Sequence, residues 1–468
     1  MISTSKHLLS IFKRILPSPF TIAVLLTLIT VLLAVILTKP DQETHGDYFL
    51  YLFRSWEDGL WDDSAGGLYF AFQMMLILVL GHVLALTGPI DKLIRALLVY
   101  CKNTASSVFV VGTGAIIMGL FNWGLGLIFG AILARKIGEK FAHQGKAINY
   151  GLVGAAAYST MMVWHGGLSG SATTKAMEEG YIPAMMKNMG GTEEYPNFLP
   201  FESTIGSGMN ILVMILCVII IPLFLYFITK RSGEGFIPKF NKQFGKKADN
   251  PIGKVKGAER LDHSKFVGTF LGIGILILVG IKALNYQGES AFGFINLNFI
   301  NLFLLGLSVY FHRSINNFTN AVQLSIGDIS GILIQFPLYF GILGIMKSSG
   351  LITLFSDSII AVASDYSLPI CTFISAGVVN FFVPSGGGQW AIQGPILIEA
   401  ATQLGADLPK TVMAMAYGDQ LTNMLQPFWA LPLLGITKLK PYQILPYTFL
   451  LFLLGAVLFG GTLLYWNF

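Results

Sequence analysis

Seven stretches of this chain are unbroken apolar runs long enough to span a bilayer, at about 20–38, 67–87, 203–229, 266–283, 294–311, 321–346 and 443–464. A spanning helix needs roughly 20 such residues. Four more stretches, 107–134, 148–176, 369–404 and 411–436, are apolar but interrupted midway by glycine, proline or a polar cluster. Transmembrane β-barrels use alternating segments of about ten residues, which these are not. The expected fold class is an all-α polytopic membrane protein. Composition agrees, since only 12% of 468 residues are charged and 54% are apolar, against about 25% and 45–50% in soluble domains. Soluble enzymes and nucleic-acid binders are excluded on that balance. The three cysteines, Cys101, Cys217 and Cys371, have no metal-ligand spacing, so no metal site or cofactor is expected.

Charge placement orients the chain. Basic residues favour the cytoplasmic side. Residues 1–19 pattern as an amphipathic interfacial helix, with Lys6, Lys13 and Arg14 among apolar residues and Pro17 and Pro19 closing it. A cleaved signal peptide is the rival, but no small-residue cleavage site follows the first span. Residues 20–66 read as that span and an acidic outside loop. The loop 88–106 and segment 135–147 are both basic, which makes 107–134 a re-entrant hairpin with both ends inside. Residues 230–320 form a linker with two connecting spans, and ten Lys/Arg fall within 230–265 against four acids. The N-terminus is therefore expected in the cytoplasm.

The flanking regions, 67–229 and 321–468, share an order: a span, a short amphipathic stretch, a broken hairpin, a broken crossing and a final span. Gln73 precedes Gly88 by 15 residues, as Gln335 precedes Gly350. Asn122 precedes Tyr158 by 36, and Asn380 precedes Tyr417 by 37. Charge places the two copies in opposite orientations. Inverted repeats with broken helices meeting at mid-membrane mark secondary transporters, whose sites form at the breaks.

The site candidates follow. One hairpin tip carries Asn122-Trp-Gly-Leu-Gly126. The crossing after it carries Thr160, then His165-Gly-Gly-Leu-Ser169-Gly-Ser171. The second tip carries Asn380, then Ser385-Gly386-Gly387-Gly388-Gln389-Trp390 and Gln393. Its crossing carries Asp419, Thr422, Asn423, Gln426 and Phe428. Glycines let a backbone approach a ligand closely, and a half-helix N-terminus aims N–H groups at an anion. Asn122, Ser169, Ser171, Asn380, Ser385, Gly386–Trp390, Gln393, Gln426 and Phe428 are the substrate-binding candidates. Asn122, Thr160, His165, Asn380, Asp419, Thr422 and Asn423 are the ion-coupling candidates, for H+ or Na+. Each has a plainer reading as a cap, a core amide or a packed ring. An intramembrane carboxylate such as Asp419 is costly and faces a cavity or a partner.

The run Asn380-Phe-Phe-Val-Pro-Ser-Gly-Gly-Gly-Gln-Trp-Ala-Ile-Gln-Gly-Pro395, with Ala416-Tyr-Gly-Asp-Gln420 and Gln426-Pro-Phe-Trp-Ala-Leu-Pro432, resembles the signature of the AtoE-type short-chain fatty acid transporters. Asn122-Trp-Gly-Leu-Gly126 and Leu168-Ser-Gly-Ser171 match it too. The resemblance covers almost the whole chain. It implies uptake of short carboxylates such as butyrate or acetoacetate across a bacterial inner membrane. Through the wider ion-transporter superfamily it implies a homodimer with scaffold and transport domains and an elevator motion. His165 stands where the family pattern has glycine, so no family role passes to it, and Asp419 stands where relatives carry Glu. Rival readings are a Na+/H+ antiporter or a dicarboxylate carrier on the same fold, and an intramembrane enzyme. A dicarboxylate would need fixed positive charge, and neither tip carries Arg or Lys.

Overall fold

The computed structural model describes residues 18–40, 44–61, 67–188, 195–230, 235–240, 257–287, 294, 297–384 and 386–466. The expected interfacial helix, up to residue 17, and Ser385 lie outside them. Every regular element among the described residues is helical. Among the described residues, five helices are long and apolar enough to cross a membrane: Phe20–Leu37, Thr104–Phe121, Gly208–Thr229, Lys265–Leu284 and Pro441–Tyr465.

In chain order the first elements are α1 (Pro19–Leu37), α2 (His45–Trp61), α3 (Gly67–Ala85), α4 (Gly88–Tyr100), α5 (Thr104–Phe121), α6 (Trp123–His143) and α7 (Tyr150–Tyr158). A 3-10 turn, Ser159–Met162, then leads through an unwound stretch to α8 (Ser171–Ala176), α9 (Tyr181–Asn188) and α10 (Gly208–Thr229). The connecting region holds α11 (Glu259–Asp262), α12 (Lys265–Leu284) and α13 (Leu297–His312). The rest comprises α14 (Ile315–Ser325), α15 (Ser330–Ser348), α16 (Leu351–Ile360), α17 (Leu368–Phe382), α18 (Gly386–Leu404), α19 (Leu408–Thr422), α20 (Pro427–Thr437) and α21 (Pro441–Tyr465). A 3-10 turn, Asn423–Leu425, separates α19 from α20.

Two expectations change. The acidic stretch read as an outside loop contains α2. Its buried residues Tyr48, Leu52, Ser55 and Gly59 recur every three or four positions, the spacing of one helical face. That face packs on α15 so closely that a Cβ at Gly59 would stand 2.9 Å from the Gly344 Cα. The apolar run 321–346 is not one helix either. A 3-10 turn at Ile326–Ile329 divides α14 from α15.

The breaks fall where the sequence places them. α5 and α6 meet at Asn122, whose extended backbone ends one helix and whose side chain caps the next. α17 stops at Phe382, and α18 starts at Gly386. α5 and α6 lie back to back because glycines face each other. A Cβ on Gly126 would stand 2.6 Å from the Gly119 Cα, inside van der Waals contact. α8, α9 and the chain around Leu199 pack on α18 through Ala172, Ala176, Ile182, Trp390 and Leu397. A piece of the first half therefore covers the second half's tip.

Candidate functional site

The two broken crossings meet in the interior. His165, in the unwound stretch after Ser159–Met162, is fully buried, and Asp419 on α19 is 1% exposed. The His165 Nδ1 and the Asp419 Oδ2 share a short hydrogen bond. On the other side of the ring, the Ala172 N–H donates to Nε2 at 2.9 Å. An imidazole nitrogen that accepts from a backbone N–H carries no proton, so the ring is the neutral Nδ1–H tautomer and Asp419 is its acceptor. The next residue on α19, Gln420, holds the unwound backbone itself. Its Oε1 accepts from the His165 N–H (2.9 Å) and the Gly166 N–H (3.1 Å). Trp164 stacks on the imidazole at 4.4 Å between ring centroids.

The N-terminus of α18 lies against this group. A Cβ built on Gly386 would stand 2.7 Å from Trp164, 3.1 Å from the His165 Cε1 and 3.4 Å from the Asp419 Oδ2. Gly387 is less crowded. Among the described residues, a Cβ there meets only Ser171, at 3.9–4.0 Å. Gly386 is required by proximity, since any side chain there would displace the ring pair.

A second cluster adjoins it. The Asn380 Nδ2 donates to the Asp419 carbonyl (2.8 Å), the Thr422 hydroxyl (2.9 Å) and the Asn423 Oδ1 (3.0 Å). The Gln426 amide donates to the Asn380 carbonyl. The Tyr158 hydroxyl reaches the carbonyls of Asn423 (2.8 Å) and Gln426 (3.1 Å). Four buried oxygens around these breaks have no hydrogen-bond partner among the described residues: the Thr160 Oγ1, the Asn380 Oδ1, the Asp419 Oδ1 and the Gln426 Oε1. Buried polar atoms are almost always paired, so these oxygens are exceptions gathered at the breaks.

The remaining candidates divide. The Asn122 Oδ1 caps the Gly124 and Leu125 N–H groups (3.0 and 3.2 Å), and the Ser169 hydroxyl accepts from the Trp123 N–H (3.1 Å). Both hold the first tip against the unwound stretch. Gln389 and Gln393 turn toward α17, donating to the Ala376 carbonyl and the Ser375 hydroxyl respectively. Trp390 packs beside α8. Phe428 lies edge-on to Tyr339 and Trp429, at 4.7 and 5.0 Å. Gly388 belongs to the first turn of α18. Sequence reading passed over Trp164, Gln420, Tyr158 and Asn210 as site residues. The Asn210 Nδ2 donates to the Gly166 carbonyl at 2.8 Å, and its Oδ1 accepts from the Tyr417 hydroxyl at 2.9 Å. The repeated Ala-Tyr pairs were the available signal for the two tyrosines. Nothing in sequence spacing points to Asn210.

An all-helical, largely apolar protein whose polar interior gathers where two helices break is a polytopic membrane protein. The chain belongs to the short chain fatty acid transporter family, whose model matches residues 1–466. Two relatives, from Escherichia coli (strain K12) and Haemophilus influenzae (strain ATCC 51907 / DSM 11121 / KW20 / Rd), each bear the name "Putative short-chain fatty acid transporter". They are 34% identical over 465 residues and 35% over 460, with 97% of each chain covered in both cases. Among solved structures, the Alcanivorax borkumensis YdaH transporter aligns over 95% of this chain and 98% of its own, at 16% identity and a TM-score of 0.41. The family is one of transporters, not enzymes.

Proposed function

We propose that this protein is a secondary active transporter that moves short-chain monocarboxylates, such as butyrate or acetoacetate, across a bacterial inner membrane, coupled to H+ or Na+. The observation that carries the reading is the start of α18. Its Gly386 lies against Trp164, His165 and Asp419 at the paired breaks, and Gly387 beside it is uncrowded. A helix N-terminus presents unpaired N–H groups and a positive dipole end, which suits one carboxylate. No Lys or Arg lies in Gly386–Trp390 or in His165–Ser171, which suits a monoanion over a dianion. The tryptophans Trp123, Trp164 and Trp429, with centroids 5.1–6.3 Å apart, offer an apolar wall for a short tail.

The mechanism in this reading is alternating access. The halves act as inverted repeats, and the broken elements move as a transport domain against a dimeric scaffold. The shared order of breaks supports it, as does the apolar seam at the tips. The cytoplasmic N-terminus rests on the basic loops. Uptake of radiolabelled butyrate into proteoliposomes, counted above protein-free liposomes, tests the site. Asn380→Ala and Gly387→Trp are expected to abolish it at unchanged expression. Unaltered uptake in both would remove the assignment.

A further inference from the structure

We infer that the Asp419 Oδ1 is the proton-binding atom of this carrier and that His165 is a positioning residue, not the proton carrier. The inference rests on the transport reading above and narrows its coupling ion to H+. Three observations meet here. First, Asp419 is buried, and its Oδ1 lacks a partner among the described residues while Oδ2 is taken by His165. Second, the Ala172 N–H occupies the His165 Nε2, so both ring nitrogens are committed and the ring has no free site for another proton. Third, the start of α18 stands beside the carboxylate.

The electrostatics then couple two ligands. The positive end of α18 and the Nδ1–H of His165 are the features that compensate an ionised Asp419. A substrate carboxylate docking on the same helix end competes for that compensation and sits next to a like charge. A proton on Oδ1 removes the repulsion, so the anion and the proton bind better together than apart, each raising the other's affinity by the same factor. Protonation forms one O–H bond on Oδ1 and leaves the His165 hydrogen bonds intact. The proton comes from solvent on the side where the anion enters.

Most other titratable groups named on the surrounding elements are engaged elsewhere. Tyr158 bonds the Asn423 and Gln426 carbonyls, and Tyr417 bonds Asn210. At the far ends of their helices, Tyr150 bonds the Thr437 carbonyl and Lys410 the Trp466 carbonyl. On α8, Lys175 pairs with Glu178 at the surface, and on α18, Glu399 bonds Tyr195. Cys217 of α10 and Cys371 of α17 are free thiols.

Proton uptake on ligand binding tests this directly. The full chain in detergent is mixed with butyrate near neutral pH, in weak buffer with a pH indicator. Wild type is expected to take up about one proton per butyrate bound, and its butyrate affinity to fall about tenfold per pH unit as Asp419 ionises. Asp419→Asn should take up none, and its residual binding should be flat with pH. His165→Gln should keep the uptake with a displaced midpoint. Butyrate binding by wild type without proton uptake overturns the inference, as does uptake that survives in Asp419→Asn or disappears in His165→Gln. Should the variants fail to fold, the wild-type infrared difference spectrum decides. A protonated carboxylic acid band that grows on butyrate addition is expected, and its absence refutes the assignment. If no short carboxylate binds wild type at all, the transport reading fails instead.

Discussion

The two hairpin tips look alike in sequence and are built for different work. At the first, glycines let helices touch: α5 and α6 close on each other at Gly119 and Gly126, and Thr160 fills the remaining gap. At the second, Gly386 presses on Trp164 and His165, but Gly387 leaves room and meets nothing but Ser171 among the described residues. The matched asparagines diverge in the same way. Asn122 caps its own helix, whereas Asn380 reaches across to three groups on the broken crossing. A glycine-rich motif therefore reports close approach without saying whether a helix or a ligand does the approaching. The first tip works as a rigid brace and the second as the open face.

Substitutions can break that contrast. The largest effect is expected for Asn380→Ala, which strips a donor from the Asp419 carbonyl, the half-buried Thr422 hydroxyl and the buried Asn423 amide. It should cost about 3 kcal/mol or more in denaturant unfolding in micelles, because each stranded buried polar group costs roughly 1–3 kcal/mol. Gly126→Val comes next. It forces a side chain into the Gly119 backbone and should cost about 2–3 kcal/mol, in the upper range for overpacking. Gly387→Ala, its counterpart at the open tip, should stay within about 0.5 kcal/mol, as substitutions without new contacts do. If Gly387→Ala destabilises as much as Gly126→Val, the distinction between brace and open face is wrong. Tyr158→Phe removes a hydroxyl from two carbonyls and should cost about 2 kcal/mol, against about 1 kcal/mol for Tyr417→Phe, which serves one acceptor. Asn122→Ala should cost about 1 kcal/mol for a lost N-cap, read from the same denaturant unfolding.

Much of this arrangement was legible beforehand. Helix ends announce themselves through residues that cannot continue a helix or that cap one, so the breaks at Asn122, after Phe382, after Tyr158 and around Asn423–Gln426 fell where glycine, asparagine and proline cluster. The helix α2 is hard to see in sequence because its acids interrupt the regular spacing of Tyr48, Leu52, Ser55 and Gly59. Gln389 and Gln393 belong to the second tip's motif, but only packing shows that their amides face α17. The partners of His165 lie about 250 residues away at Asp419 and Gln420, and no local pattern encodes such a distance.

The sequence by itself determined the solvent, the helical class and the positions of the breaks, because hydropathy, capping and backbone freedom are properties of short segments. The tertiary structure decided which break faces which. It set an imidazole between an N–H and a carboxylate, and so fixed the tautomer. It also brought the start of α18 against that ring and carboxylate. Those outcomes depend on how helices from distant parts of the chain pack, where a shift of an ångström separates a hydrogen bond from none.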